Sequence, residues 1–499
     1  MHGRMALIAL IALALAPSGA SAAGPETVIQ DDALLLFSSD ADVRQGVERV
    51  RELGIERVRV TVSWGAIAPE THSRKRPRFD AADSRAYPID GWARVDRVLR
   101  EVRRAGLKPM LDLAFHAPRW ATRDKKKSKT YRDRPSVLEY QRFAKAAARR
   151  YRGDFPDPAN LGSSLPAVRL WTTWNEPNHP SFLLPQWRRD RRGRWVPASP
   201  HLYRRMHNAA YRVLKKSSRF NRVLIGGLAA VGGGRRGPRG RIAPLRFLRE
   251  MACVDKRLRR LRVPECRGFR RLQADGFSHH PYSIGLAPGR RSRYRDDVRI
   301  ADLGRLDRLL GALRRRGRTA KRLAIYITEF GYETNPPDPK LGVSNAKQIA
   351  YLAQGAYIAW RSPHVRMHAQ FLLRDLPPNP TLSQTSPRRW HDYQSGLIEF
   401  GGRLKPAFEA FKLPLWARID RRGTFLFGQV RPGHGRKRVS IEGRARGGPW
   451  TAAGTAVTDE RGYFSTRLRG RAPRAYRALW GAVVAATARV GARAPRARR

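Results

Sequence analysis

Residues 43–62 read VRQGVERVRELGIERVRVTV. Val43, Val47, Val50 and Leu53 fall at helical spacing, and Gly54 stops the run. Ile55 to Val62 then alternates apolar and polar residues, the period of a half-buried strand. A helix, a glycine and a strand make one unit, and the unit recurs along the chain. Ile89–Ala105 is a predicted helix closed by Gly106 and followed by the strand Leu107–Phe115. The predicted helices Val137–Tyr151, Leu202–Lys216 and Pro244–Met251 precede the strands Ala167–Trp174, Val223–Leu228 and Gly276–His279. Helix Leu303–Arg315, ended by Gly317, precedes strand Leu323–Thr328. Helix Asn345–Trp360 precedes strand Val365–Leu373, and Lys405–Phe411 is a closing helix. Val28–Phe37 is the expected first strand.

Alternating strands and helices imply a parallel sheet. Eight such units between Glu26 and Leu413 suit an α/β fold of the (β/α)8 TIM barrel type with enlarged loops. A doubly wound open sheet is the alternative. No G-x-G-x-x-G follows the first strand and no Walker loop occurs, so nucleotide-binding versions lose support; Gly232-Gly233-Gly234 is a lone glycine run. After Pro414 the pattern changes to short alternating strands at Thr424–Val430, Arg438–Glu442, Ala452–Val457 and Gly462–Leu468. Turn sequences such as Arg431-Pro432-Gly433 separate them, and the expectation is a small C-terminal β-sandwich. The expected organisation is a signal peptide over 1–23, the barrel over 24–414, the sandwich over 415–490 and a basic disordered tail over 491–499.

The signal-peptide reading rests on Arg4, the apolar run Ala6–Ala16, the break at Pro17 and the small residues Ala20-Ser21-Ala22. That run is too short to span a bilayer comfortably, so no stable membrane insertion is expected once it is removed. A secreted, extracellular protein, possible in association with the cell wall, is implied. The two cysteines, Cys253 and Cys266, exclude a disulfide-rich scaffold and a Cys-based zinc cluster. In an exported chain they are expected to form one local disulfide.

The chain has 499 residues, more than one ordinary core accommodates, and its 100 Lys+Arg against 41 Asp+Glu leave a formal charge of +59. Only 16 of the cations are Lys. Arginine as the default surface residue is the plain reading of that charge. Attraction to a polyanion, an anionic cell-wall polymer above all, is the functional one. Export argues against a nucleic-acid partner.

In a parallel barrel the chemistry sits where strands end. The fourth strand runs into Asn175-Glu176-Pro177-Asn178, and the seventh into Glu329-Phe330-Gly331-Tyr332. Two carboxylates at one mouth are what hydrolysis of a glycosidic bond requires: one protonates the departing oxygen, and the other attacks or stabilises the anomeric carbon. Glu333 is a rival to Glu329 from the following loop. His116, Trp120 and Trp64 are candidate sugar-stacking surfaces. The loop Leu183–Pro200 follows the fourth strand and is unusually basic, which raises a preference for an acidic glycan.

Two segments carry a family resemblance: Val58-Arg59-Val60-Thr61-Val62-Ser63-Trp64, and Trp171-Thr172-Thr173-Trp174-Asn175-Glu176-Pro177-Asn178. Together with Glu329 closing the seventh strand, they resemble the clan A retaining glycoside hydrolases, most closely family 39 and its bacterial relatives, with family 5 close behind. The resemblance covers Glu26 to Leu413. It implies that Glu176 is the acid/base, that Glu329 is the nucleophile and that Asn175 binds the sugar 2-hydroxyl. It also implies that Arg59 keeps the nucleophile ionised and that His280 and Tyr282 stand beside the two carboxylates. Clan members commonly place a Trp at the end of the eighth strand. Here that strand continues as Phe371-Leu372-Leu373-Arg374-Asp375, leaving Trp390 in the next loop as the expected substitute. The implied function is a secreted glycosidase cleaving β-linkages of a polysaccharide or oligosaccharide. The alternative is a catalytically silent glycan- or wall-polymer-binding protein on the same barrel. No metal or organic cofactor is implied, because carboxylates and water suffice for the chemistry.

Overall fold

The computed structural model describes residues 24–125, 130–433, 435–468 and 475–489; the expected signal peptide and basic tail lie outside these residues. Eight parallel strands close into a barrel. They are β1 (Glu26–Gln30), β2 (Arg57–Ser63), β3 (Lys108–Ala114), β4 (Leu170–Thr173), β5 (Arg222–Ala229), β6 (Gly276–His280), β7 (Ile325–Ile327) and β8 (Val365–Phe371). Each strand pairs with its neighbours in sequence, and β1 closes on β8 with Val28 opposite Ala369 and Gln30 opposite Phe371. The chain is therefore a (β/α)8 TIM barrel followed by a C-terminal β-sandwich.

The first strand is shorter than expected. Only Glu26–Gln30 is extended, and Asp32–Phe37 is a helix. Asp31 caps that helix, its carboxylate accepting the Leu34 N–H at 3.0 Å and the Leu373 and Arg374 N–H groups from the end of β8. A short apolar run carries no period of its own, so the cap decides its conformation.

The period of two along the strands sorts the barrel interior into layers. Val28, Met110, Leu170, Leu224, Tyr326 and Met367 form one apolar cluster deep in the barrel. Gly276 belongs to that level because a Cβ there would lie 2.5 Å from the Tyr326 ring. Two residues further along the same strands come Gln30, Asp112, Thr172, Ser278 and Thr328, all buried and polar. The interior thus changes from hydrocarbon to a hydrogen-bonded layer just below the C-terminal mouth.

Beyond the helix Pro406–Lys412 two antiparallel sheets face each other. One contains β9 (Leu415–Asp420), β10 (Gly423–Gln429) and β13 (Tyr463–Leu468). The other contains β11 (Arg438–Arg444), β12 (Thr451–Val457), β14 (Ala475–Trp480) and β15 (Val483–Val484), with β16 (Ala488–Arg489) paired to β14. Their shared core includes Leu426, Val439, Ile441, Phe464 and Tyr476. The sandwich packs on the barrel through Tyr357, stacked on Trp416 at 4.0 Å, and through the Arg431 guanidinium, 3.5 Å from the centre of the Phe411 ring. Tyr463 donates its hydroxyl to the Pro25 carbonyl. Gly54 leaves room for this seam, since a Cβ there would meet the Arg431 backbone at 2.2 Å. Cys253 and Cys266 are joined by a disulfide, with Cα atoms 5.7 Å apart. No helix of the described residues is long and apolar enough to cross a membrane.

Candidate active site

Glu176 and Glu329 reach the mouth from opposite sides of the barrel. The chain leaves β4 through Trp174 and Glu176, both in the left-handed region at φ 63° and 37°. Those two reversals are held by the Trp174 N–H on the Leu113 carbonyl at 2.7 Å and the Glu176 N–H on the Gly227 carbonyl at 2.9 Å. Gly227 offers that carbonyl because Gly226 and Gly227 form a bulge in β5; a Cβ at Gly226 would meet the Ser278 carbonyl at 2.4 Å. Asn178 fixes the next residues, its side-chain amide bridging the Ala229 and Ile242 carbonyls at 3.1 and 3.0 Å.

The two carboxylates meet at His280. Its Nδ1 lies 3.0 Å from Oε1 of Glu176 and 3.4 Å from Oε2 of Glu329. One oxygen of each carboxylate and one nitrogen of His280 all lie within 4.8 Å of one another. Burial holds His280 down to about 4, so the ring is neutral. Its Nε2 lies 3.0 Å from Thr328 Oγ1, which is 2.6 Å from Ser278 Oγ.

The environments of the carboxylates differ. Glu329 accepts from Arg59 Nη1 at 2.8 Å and from the Tyr282 hydroxyl at 3.2 Å. Arg59 is fully buried; its Nη2 donates to Asp112 at 2.9 Å and, at 3.4 Å, to Asn175 Oδ1, and its Nη1 also meets Gln30. Glu176 has no cationic partner among the described residues. Burial pushes its carboxyl up to about 7, against a smaller opposing pull from Arg241 and Arg59. Burial also raises Glu329, while Arg59 opposes that rise. Glu176 therefore holds its proton up to about pH 7, and Glu329 is the one supplied with donors for a negative charge.

The remaining expected residues divide. Arg59, Asn175, His280 and Tyr282 lie in one network with the two glutamates. His116 stands at the rim beyond β3, its Nε2 3.2 Å from the Ser181 carbonyl and its ring stacked on Phe182. Trp120 is a packing residue: its indole N–H donates to the Pro69 carbonyl at 3.0 Å, and its ring abuts Trp64 and Phe79 edge-on. Trp64 is buried against Phe143 and offers no face to a sugar. Trp390 makes no ring contact among the described residues. Phe371, at the end of β8, packs edge-on against both Tyr282 and Tyr393, at 6.3 and 5.3 Å. Tyr393 itself is about half exposed and covers Phe371 from the solvent side. Glu333 receives the Gln394 N–H at 3.4 Å and does not belong to the cluster formed by Glu176, His280 and Glu329. Phe371 and Thr328 had no signal in the sequence beyond their places at strand ends, and Tyr393, in the loop after β8, and the Gly226-Gly227 bulge, inside β5, had none.

No family model matches the chain, and no curated protein matches it. Solved structures do. A monomeric beta-xylosidase from Caulobacter crescentus CB15 is similar at a TM-score of 0.50 and 16% identity, over 84% of each chain. A GH5_18 protein from Bifidobacterium longum subsp. infantis has a TM-score of 0.47 at 17% identity, over 78% of each chain. A glucosidase from Croceicoccus marinus has a TM-score of 0.45 at 12% identity, over 86% of this chain and 89% of that one. What is shared is the fold.

Proposed function

We propose that the protein is a retaining β-glycosidase that works outside the cytoplasm on a polysaccharide or oligosaccharide. The observation that carries this is the 4.8 Å limit on the separation of the nearest Glu176 and Glu329 oxygens. Double displacement uses carboxyls about 5–5.5 Å apart, whereas single displacement by water needs about 6.5–9.5 Å. The resemblance to clan A, to family 39 before family 5, supports the same reading, as does the likeness in fold to a beta-xylosidase. The signal-like N-terminus and the disulfide support export.

In the first step Glu329 attacks the anomeric carbon as the glycosidic C–O bond breaks. Glu176 gives its proton to the departing oxygen, and the aglycone leaves as an alcohol. Esterification removes the charge on Glu329 and leaves Glu176 as a base. Glu176 then takes a proton from water, the water oxygen attacks the same carbon, and Glu329 is released as a carboxylate. The Arg59, Tyr282 and His280 groups favour the anionic form of Glu329 before and after the cycle. Asn175 is read as the partner of the sugar 2-hydroxyl.

The test is a panel of 4-nitrophenyl β-glycosides with the anomer of the first product read by NMR. Turnover with retained configuration is expected, lost in Glu329→Gln. Absence of turnover across the panel, with glycan binding kept in Glu176→Gln and Glu329→Gln, would make the chain a silent binding protein. An inverted first product would overturn the double displacement.

A further inference from the structure

The basic loop Leu183–Pro200 is largely self-occupied. It forms a hairpin, Trp187–Arg189 with Trp195–Pro197, in which Arg188 pairs with Glu265, Arg194 with Asp190, and Arg189 lies over the Trp195 ring. What the hairpin does is brace a second loop, 230–243. The Pro238 carbonyl accepts the Gln186 N–H at 2.8 Å, the Gly240 carbonyl accepts Trp187 Nε1 at 2.7 Å, and the Ile242 N–H donates to the Asn178 carbonyl at 3.1 Å. Residues 238, 240 and 242 are thereby pinned next to the strand-end segment that bears Glu176. The residues alternating with them are Arg239 and Arg241, both exposed.

A third guanidinium joins from the loop after β3. Arg132 Nη1 donates to the Ser181 carbonyl at 3.1 Å, the same oxygen that His116 contacts. Arg132, Arg239 and Arg241 form no ion pair with any described carboxylate. They do act on one another and on the site: Arg239 presses on Arg132, and Arg241 is the strongest cation felt by Glu176. Burial, then Arg241 and Arg132, hold His179 down to about 4, so no fourth cation forms there at neutral pH. Asp124, whose carboxylate accepts the Arg132 backbone N–H, is the counter-charge that Arg132 feels, but it makes no ion pair with these guanidiniums; like charges held together so raise the energy of the free protein, and an oxyanion placed among them relieves it. Guanidinium forks match carboxylate and sulfate oxygens two at a time.

We infer that Arg132 and Arg241, with Arg239 behind them, form a subsite on the acid/base side of the cleft for an oxyanionic substituent, a carboxylate or sulfate, on the sugar that departs. This rests on the glycosidase reading, because the acid/base residue marks the leaving-group side. It names a substrate class: glycans in which an anionic residue follows the scissile bond.

The test keeps the sugar constant, using whichever one the 4-nitrophenyl panel selects, and varies the aglycone. Three phenols are compared, carrying a 4-carboxylate, a 4-sulfonate or a neutral 4-carboxamide. The expected result is a kcat/KM about tenfold higher for at least one anionic aglycone than for the amide, falling toward equality between 50 and 500 mM salt. In Arg132→Gln/Arg241→Gln the preference should collapse toward one, whatever happens to the absolute rates. That double variant lowers the formal charge only from +59 to +57, so the collapse would belong to the subsite and not to the general field of the protein. Equal rates for all three aglycones in the wild type, or a preference surviving in the double variant, would overturn the proposal. Failure to hydrolyse any aryl glycoside would instead overturn the glycosidase reading.

Discussion

Arg59 and Glu329, 270 residues apart in sequence, are joined by a 2.8 Å hydrogen bond with both side chains withdrawn from solvent. The same guanidinium reaches Asp112, Gln30 and Asn175, so one cation compensates two buried carboxylates and orients a buried amide. Removing it strands Asp112 and Glu329 without a counter-charge. Arg59→Met should cost about 3–5 kcal/mol in urea denaturation. It should also lower kcat/KM about 100-fold by loss of a donor at the developing charge. Arg59→Lys should recover stability better than activity, because one ammonium cannot bridge all four partners.

The general acid must hold its proton in the free enzyme. Burial raises Glu176 to about 7, so the kcat/KM profile should fall on its alkaline side with an apparent pKa near 7. Glu176→Gln should abolish that limb. With a 2,4-dinitrophenyl leaving group, which needs no proton, glycosylation by this variant should persist and ester intermediate should accumulate, read as a burst of phenol followed by slow turnover.

The raised carboxyl is also a statement about folding. Unfolded chains ionise Glu176 in the ordinary carboxylate range, whereas the native protein keeps it protonated up to about 7. As pH rises through that window the unfolded state loses its proton first and native stability declines. Glu176→Gln should remove this decline and gain about 3 kcal/mol above pH 7 by denaturant titration, with little gain at pH 4. A gain of equal size at both pH values would contradict the linkage.

The disulfide closes a loop of 13 residues' separation between Cys253 and Cys266. Cys253→Ser/Cys266→Ser should lose about 3 kcal/mol, measured as a lower midpoint in calorimetry. The Arg204 guanidinium donates to the Met251 carbonyl and contacts Cys253 Sγ at 3.0 Å, so this corner retains hydrogen bonds once the bridge is gone. The loss should therefore be one of stability, with the kcat of any aryl glycoside unchanged.

Much of the barrel was legible because helix period, glycine stop and strand period recur in order. The helices Pro244–Met251 and Leu303–Arg315 have the bounds that periodicity gives. The DALLLF run from Asp32 to Phe37 was misread because its helix is dictated by the Asp31 cap and by partners more than 300 residues away. The strands Leu415–Asp420 and Ala475–Trp480 were missed because neither alternates cleanly: the first is an edge strand at the seam, and the second is held between Arg438–Arg444 and Val483–Val484. At the mouth, a residue ending a strand is readable, so Glu176 and Glu329 could be found, whereas Arg59, third in its strand, is implied only by the family resemblance. Aromatic residues were less readable. Trp64 and Trp120 resemble platforms in sequence but fill the wall, while Tyr393 reaches the cleft only through its packing on Phe371.

The seam between barrel and sandwich has a temporal consequence. The segment that starts the barrel is held by residues from the far end of the chain: Tyr463 bonds to the Pro25 carbonyl, Arg461 to the Gly24 carbonyl and Gln429 to the Thr27 hydroxyl. During synthesis from the N-terminus, the first of these fasteners is made only with residue 429 and the last with residue 463. Fastening the start of the barrel is thus deferred until the sandwich has been made, and a chain interrupted after Pro414 would expose the aromatic face of Tyr357 and Trp360 that the sandwich covers.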